Sequence, residues 1–486
     1  MSDDDLLFLP ATRAAAMIRR KELSPVEYVD AVLKAIDTVG TTINAFATVT
    51  AEAARAAARR AEQAVMDGVE VGPLHGVPVN IKDLFATAGV RTAYGSVVYA
   101  DNVPDHDDIL AQRLNRAGAI MVGKSTTPEF GHKAVTDSPV FGVTRNPWNP
   151  DRAAGGSSGG AAAAVAAGFG PLGLGTDGAG SIRIPAGACG VVGLKPTTGA
   201  VPYEQASDVF SNYAAAGPLT RTVADAALML ESLTGATTID PWTLGAGRPR
   251  RMPQLTGDDL SGVRIGYIPR MANKQVSDDV ERQTRATLAA LTDLGAQVDE
   301  VGGDVDWSPE AARVLYLAHQ FIAYGPFLAE YGDRLDSTLI GFIEKGSTYT
   351  LADYRAAGLA RSALYRSVQH ILEQVDFLIT PTLPTTAPAA VDSSDSKEPA
   401  LMNAWNAYMY PFNLTGHPAA SIPSGFGADD LPTGVQIIGP WWADSDVLRL
   451  GAVIESVRPW GHLRPPRDGH PAAVGPRAAS QFGTVG

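Results

Sequence analysis

Three short segments hold side chains that could do chemistry together: Val79-Asn-Ile-Lys-Asp83, Gly155-Gly-Ser-Ser-Gly-Gly160 and Gly175-Thr-Asp-Gly-Ala-Gly-Ser-Ile-Arg-Ile-Pro185. A lysine at a strand end or a serine in a glycine-rich turn is ordinary on its own. Together they are notable because the chain offers almost no other general base, and a serine hydroxyl is a weak nucleophile until a base accepts its proton. Two overlapping Gly-x-Ser-x-Gly matches centre on Ser157 and Ser158. A nucleophile elbow of that form needs a buried strand directly before the serine. Residues 146–152 carry two prolines and no apolar alternation, so that context is not expected. Gly168-Phe-Gly-Pro-Leu-Gly173 fits a dinucleotide fingerprint by letter. It follows an Ala-rich helix instead of opening one, and Pro171 removes a backbone donor, which argues against nucleotide binding.

The elements that must position these segments alternate. The first 70 residues read as helix, with Ser24-Pro-Val-Glu27 in capping-box form and residues 51–66 a strong Ala-rich helix former. Val77, Val79 and Ile81 then recur at a spacing of two, a strand with one buried face that puts Lys82 near its end. Residues 107–118 read as helix and 119–123 as a short buried strand. The alternation continues to about residue 235, which argues an α/β fold. The many small residues between 153 and 200 are interrupted by apolar runs at 161–167 and 191–194, so they read as closely packed backbone, not linker. Later, 260–268 reads as turn then strand, 278–294 as an amphipathic helix, 376–380 as a buried strand, and 417–440 as two more strands. One large domain over 1–464 is expected, its chemistry concentrated in about 72–235, with a loosely ordered tail over 465–486.

Composition narrows the classes of function. The 486 residues carry a formal charge of −13. An acidic surface repels nucleic-acid phosphate and anionic lipid, so neither is an expected partner. No apolar stretch approaches the ~20 residues needed to span a bilayer, and Met-Ser-Asp-Asp-Asp is acidic where a secretory leader is basic, making the cytoplasm the expected location. The single cysteine, Cys189, sits in an apolar run and reads as a packing residue. The eight histidines (75, 106, 132, 319, 370, 417, 462, 470) form no ligand pair at helical spacing.

At this point the residues resemble a family. Gly155-Gly-Ser-Ser-Gly-Gly160, then Thr176-Asp-x-x-Gly-Ser-Ile-Arg-x-Pro185, then Cys189-Gly-Val-Val-Gly-Leu-Lys-Pro196 look like the amidase signature. The separations of 75 residues from Lys82 to Ser157 and 24 from Ser157 to Ser181 agree with it. The likeness continues through Gly217-Pro-Leu-Thr-Arg221, Asp376-Phe-Leu-Ile-Thr-Pro-Thr382, Phe412-Asn-Leu-Thr-Gly416 and Leu431-Pro-Thr-Gly-Val-Gln-Ile-Ile-Gly439, to about residue 460. The resemblance implies a single α/β domain with a mixed, twisted sheet sandwiched between helices, and a site at the loops of the sheet's edge. It implies a Ser–cis-Ser–Lys triad: Ser181 the nucleophile, Ser157 a relay following a cis peptide bond, and Lys82 the base. Lys82 must then rest neutral, so its pKa must fall from ~10.4 to about 7–8, a shift whose sign burial supplies. Backbone N–H groups of Gly178, Ala179, Gly180 and Ser181 would form the oxyanion hole. The commonest family form has two glycines before the serine; here Ala179 replaces the first, which a backbone donor tolerates unless φ must be positive. Ser158, Asp177 and Arg183 would support the loops, the last two as a mutual ion pair. No metal or organic cofactor is implied, and a homodimer is compatible with the resemblance.

Substrate is less legible. Pocket residues should come from about 125–137, 203–216, 315–345 and 403–412, which hold Phe130, Tyr203, Phe210, Tyr213, Tyr316, Phe321, Tyr324, Phe342, Trp405, Tyr408 and Tyr410 and few cations. Apolar or aromatic amides fit such segments better than charged ones. Carbamates and aryl esters present the same carbonyl to the same triad. The family also contains the glutaminase subunit of tRNA-dependent amidotransferases, which must hold charged α-groups of glutamine. Gly341-Phe342 and Asn406-Ala407 stand near where an arginine and an aspartate would then be expected.

Overall fold

Ser24 sets the start of the first long helix. Its Oγ accepts the N–H of Val26 at 3.1 Å and of Glu27 at 3.2 Å, and Pro25 occupies the first turn. Its own hydroxyl donates to Glu62 at 2.6 Å, and the return bond from the Ser24 N–H to Glu27 that would complete the box is not formed. The computed structural model describes residues 3–206, 208–245, 259–273, 275–302, 305–390 and 405–466. Its first elements are α1 (Asp3–Leu7), α2 (Ala11–Arg19), α3 (Pro25–Ile43), β1 (Phe46–Val49) and α4 (Ala51–Met66). Strand β1 departs from the all-helical expectation for this region. Four residues are too few for periodicity to separate strand from helix, and pairing with a distant strand decides it.

The signature region supplies β2 (Pro78–Lys82), α5 (Ile109–Arg116) and β3 (Ile120–Ser125), then two small ribbons, β4 (Asp137–Ser138) with β5 (Gly142–Val143) and β6 (Arg145–Asn146) with β7 (Asn149–Ala153). It continues through α6 (Gly159–Ala166), β8 (Leu172–Asp177), α7 (Arg183–Cys189), β9 (Val192–Lys195), β10 (Ala215–Thr220) and α8 (Val223–Leu233). Ribbon strand β7 comes before Ser157 but ends at Ala153 and is mostly half-buried or exposed, so it is not the buried strand directly before the serine that a nucleophile elbow needs, as expected. It pairs with β6 and, through Arg152, bridges to Ala389, and it lies outside the main sheet.

The remainder adds β11 (Arg264–Tyr267), α9 (Asp278–Asp293), β12 (Gln297–Glu300), a helical insert of α10 (Pro309–Tyr324), α11 (Leu328–Tyr331), α12 (Ser337–Gly346) and α13 (Leu351–Leu372), then β13 (Phe377–Pro381), α14 (Tyr410–Leu414), β14 (Ala419–Phe426), β15 (Pro432–Ile438) and α15 (Asp444–Val457). Eleven strands form one mixed sheet in the order β1-β3-β2-β8-β10-β9-β14-β15-β13-β11-β12. Helices pack along it, α6 on β2 and β8, α8 on β9 and β10, α9 and α15 on β14 and β15. The protein is thus a single α/β domain with a mixed sheet among helices.

Every residue of β2 and of β8 is buried, not one face only. Both are interior strands, β2 parallel to β3 and β8, and β8 parallel to β2 but antiparallel to β10, and parallel pairs are covered on both sides by the helices of their crossovers. Cys189 is fully buried and donates weakly to the Ala154 carbonyl, and burial pushes its thiol up, as suits a packing residue. No helix among the described residues is long and apolar enough to cross a membrane. Apart from Pro465 and Pro466, the expected tail lies outside the described residues.

Candidate active site

β2 and β8 run parallel as neighbours, pairing Ile81 with Leu174, so their carboxyl ends meet at one edge of the sheet. Such an edge is where open α/β sheets place their sites. Lys82 ends β2, and Thr176 and Asp177 end β8. Lys82 is completely buried, and its Nζ donates to Ser157 Oγ at 2.7 Å, Ser158 Oγ at 2.9 Å and Thr176 Oγ1 at 2.8 Å. Burial pushes its pKa well below the ordinary lysine value, and the field of Asp177 opposes that only in part. Three hydroxyls satisfy an amine's directions without adding a charge that would hold the proton on it.

Ser157 stands on the turn between β7 and α6, and the Gly156–Ser157 peptide bond is cis, where the resemblance puts one. Gly156 is required there because a Cβ would lie 2.6 Å from the backbone of Val135. Ser158 ties the turn down on two sides. Its Oγ donates to the Thr176 carbonyl at 3.1 Å and accepts the Thr176 N–H at 3.2 Å, while its N–H donates to the Ser181 carbonyl at 3.1 Å. Ser157 and Ser181 are therefore held in adjoining loops through Ser158. The Ser181 hydroxyl is partly exposed, and among the described residues nothing hydrogen-bonds it.

The loop that carries Ser181 is folded around one carboxylate. Asp177 accepts the Gly180 N–H at 2.7 Å, the Ile182 N–H at 3.2 Å, Arg183 Nε and Nη2 at 2.9 Å each, and Asn413 Nδ2 at 2.9 Å. Burial alone would raise this carboxyl, but Arg183 and Asn413 hold it well below the usual range. Arg183 in turn donates to Gln436 Oε1 and Asn413 Oδ1, both at 2.6 Å, and to the Met409 carbonyl at 3.1 Å. The expected ion pair is present and fully buried.

Gly180 departs from its expected place in the oxyanion hole, because its N–H is committed to Asp177. Its φ of +110° is a conformation that favours glycine at this turn. Among the described residues, the N–H groups of Gly178, Ala179 and Ser181 have no hydrogen-bond acceptor. Ala179 is not at positive φ, so its methyl group is no obstacle.

Two groups of aromatic rings stand beside these loops. Phe130 stacks on Tyr324 at 4.4 Å and Phe327 at 5.7 Å, with Tyr99 edge-on to Phe130 and Phe327 at 6.1 Å. Tyr410 meets Tyr213 at 5.7 Å and Tyr316 at 6.0 Å, and Tyr316 meets Phe342 at 6.1 Å. Tyr410 follows Met409, against which Gly180 is packed, so this second group borders the nucleophile loop. Of the other aromatics of the same segments, Phe210 and Phe321 are 75% and 41% exposed, Trp405 and Tyr408 are buried in the same core cluster as Tyr410, and Tyr203 packs on the first cluster. Sequence reasoning missed Tyr99 and Phe327, and gave no role to Thr176, Asn413 or Gln436. The last three stand inside the quoted motifs, which was the one available signal.

Residues 27–448 match the family model described as Amidase. The chain is 36% identical over 480 residues to an acylamidase of Rhodococcus erythropolis, covering 96% of this chain and 98% of that one. It is also 36% identical over 485 residues to the A subunit of glutamyl-tRNA(Gln) amidotransferase from Roseiflexus sp. (strain RS-1), covering 94% and 98%. Among solved structures, a bacterial aryl acylamidase of the amidase signature family superposes with a TM-score of 0.85 at 29% identity, covering 93% and 97%. With a family match over most of its length and these relatives end to end, the chain belongs to the amidase signature family of hydrolases.

Proposed function

We propose that this amidase hydrolyses carboxamides with apolar or aromatic groups through an acyl-enzyme, with Ser181 as nucleophile, Ser157 as relay and Lys82 as base. The observation that carries the reading is the contact of a buried, charge-poor lysine with Ser157 Oγ at 2.7 Å. Ser181 Oγ adds to the carbonyl carbon while its proton passes to Ser157, whose own proton passes to Lys82. The oxyanion is met by N–H groups of the 178–181 loop. Lys82 then returns the proton through Ser157 to the leaving nitrogen, the C–N bond breaks, and an ester to Ser181 remains. Water then adds to the acyl carbon as its proton passes through the same relay to Lys82, and that proton returns to Ser181 Oγ as the ester C–O bond breaks and the acid leaves.

A carbamate or aryl ester could follow the same course, differing only in the leaving group. The amidotransferase relatives favour a glutaminase as the second reading. Against it stands Phe342, edge-on to His132 and Tyr316 and near where the sequence would be expected to carry that reading's arginine.

The test is a serine-reactive fluorophosphonate on the native protein, with the adduct located by peptide mass spectrometry. A stoichiometric adduct on Ser181 that disappears in Lys82→Ala supports the triad. An adduct on Ser157 or Ser158 overturns it. A panel matched in acyl group and varied in leaving group then separates amide from carbamate and ester, and glutamine with and without partner proteins tests the second reading.

A further inference from the structure

The loop 129–133 faces two ways. Glu129, His132 and Lys133 reach to the start of α12, whereas the two residues between them meet the catalytic side. Lys133 Nζ donates to Asp336 Oδ2 at 2.5 Å and also pairs with Asp137. Glu129 accepts the Asp336 N–H at 2.7 Å and the Ser96 hydroxyl at 2.7 Å. His132 Nε2 lies 2.7 Å from Thr338 Oγ1, whose hydroxyl donates to Asp336 Oδ1 at 2.6 Å. Tyr316 of α10 donates to the His132 carbonyl. Asp336 is itself the N-cap of α12, accepting the Thr338 N–H at 2.8 Å. One carboxylate thus fixes both the helix start and the loop, and the Lys133, His132 and Asp336 side chains are no more than 7% exposed. Burial alone would raise the Asp336 carboxyl, but His132 and Lys133 hold it well below the usual range.

The other side of the loop touches the site. Phe130 and Gly131 are consecutive residues at positive φ, +51° and +71°, which swing them away from the anchored side chains. Phe130 enters the stack with Tyr324 and Phe327. A Cβ on Gly131 would stand 3.2 Å from Ser157 Oγ, so the loop backbone lies against the relay serine.

We infer that Asp336 is a positioning residue for hydrolysis: by docking α12 onto loop 129–133 it places Gly131 against Ser157 and Phe130 in the aromatic wall. The insert that lines the substrate approach and the proton relay are then located by the same carboxylate. This rests on the reading of Ser181, Ser157 and Lys82 given above.

The experiment uses the full chain with Asp336→Asn and, as a milder change, Thr338→Val. Thermal melting is recorded first. The rate constant for phosphonylation of Ser181 is then measured, followed by kcat and KM per titrated site for anilides with an aromatic and an acetyl acyl group. Misplaced catalytic groups lower rates steeply, so Asp336→Asn is expected to reduce phosphonylation and both kcat values about tenfold or more. KM is expected to rise only for the aromatic substrate, and Thr338→Val to show the same pattern more weakly. Lower melting temperatures with unchanged constants per site would make Asp336 a fold anchor only and overturn the inference. If Asp336→Asn does not fold, Thr338→Val decides on the same terms. Wild-type labelling at a residue other than Ser181 would overturn the catalytic reading and this inference with it, whereas unchanged constants with Ser181 labelled overturn the inference alone.

Discussion

Lys82 Nζ lies 2.7 Å from Ser157 Oγ inside a ring of three hydroxyls, and among the described residues no carboxylate reaches it within hydrogen-bond distance. The nearest acidic influence, Asp177, is already occupied by Arg183. A lysine so placed is a base in waiting, and its replacement makes the sharpest prediction. Lys82→Met keeps the volume and removes the base. Amide kcat/KM should fall at least about a thousandfold, as loss of a general base does in serine hydrolases. In the wild type, kcat/KM should fall on the acid side as Lys82 takes up its proton, at a pH well below ordinary lysine titration.

The same group shapes stability against pH. Below ~10.4 the unfolded chain binds a proton on Lys82 that the folded chain refuses until its own, lowered pKa is reached. Folding stability therefore rises with pH across that window, and the cost of burying the amine is complete below the folded pKa. Lys82→Met removes this term, so the variant's advantage in melting temperature over wild type should grow from pH 10 to pH 7. The other buried lysines, Lys195 pushed to about 7 and Lys124 to about 8 by burial, are common to both proteins and cancel in the difference. An advantage independent of pH would mean that Lys82 stays charged in the folded state.

The Asp177–Arg183 pair is expected to matter for the nucleophile's setting as well as for stability. Removing one partner of a buried pair strands the other charge and costs about 3–5 kcal/mol. Asp177→Asn should therefore lower stability by that order in denaturant unfolding. It should also leave a single acceptor oxygen where two now hold the Gly180 and Ile182 N–H groups, so one of them is released, reducing phosphonylation of Ser181 even in the molecules that remain folded.

How much of this was legible before the structure depends on whether a residue's role is local. Lys82, Ser157, Ser158, Asp177, Ser181 and Arg183 stand in short strand-end or turn motifs, and motifs of that kind carry their geometry with them. Asn413 and Gln436 reach Arg183 from 230 and 253 residues away, and no local pattern marks an amide as the partner of a particular arginine. Strand β1 escaped notice for the same reason, its partner being β3. The aromatics were legible as segments but not as individuals. Tyr324 and Phe321 are three residues apart on one helix, yet one joins the wall and the other faces solvent.

That wall yields a prediction about selectivity. Phe130→Ala removes one ring of a stack with Tyr324 and Phe327 without touching Lys82, Ser157 or Ser181. Lost apolar contact of this size corresponds to about 1–3 kcal/mol of binding. KM for an anilide with an aromatic acyl group should rise by about ten- to a hundredfold, that for an acetyl anilide much less. Equal effects on both substrates would place the acyl group elsewhere.

Ala179 and Gly180 form the last contrast, because the two neighbours look interchangeable in sequence and differ in backbone. Gly180 has φ +110°, and a Cβ there would lie 2.6 Å from Met409 Cβ. Gly180→Ala should cost about 1–3 kcal/mol in backbone strain alone. It also forces either Met409 or the Gly180 N–H to move, so Asp177 loses a donor and Ser181 its setting. Activity per folded molecule should fall steeply. Ala179→Gly should leave activity within about twofold and lower stability only slightly, through the greater freedom of the unfolded chain. If instead Ala179→Gly raised kcat substantially, the methyl group at 179 would be restricting the approach of the oxyanion to the backbone donors, and this chain's departure from the two-glycine form would be a limit on its rate.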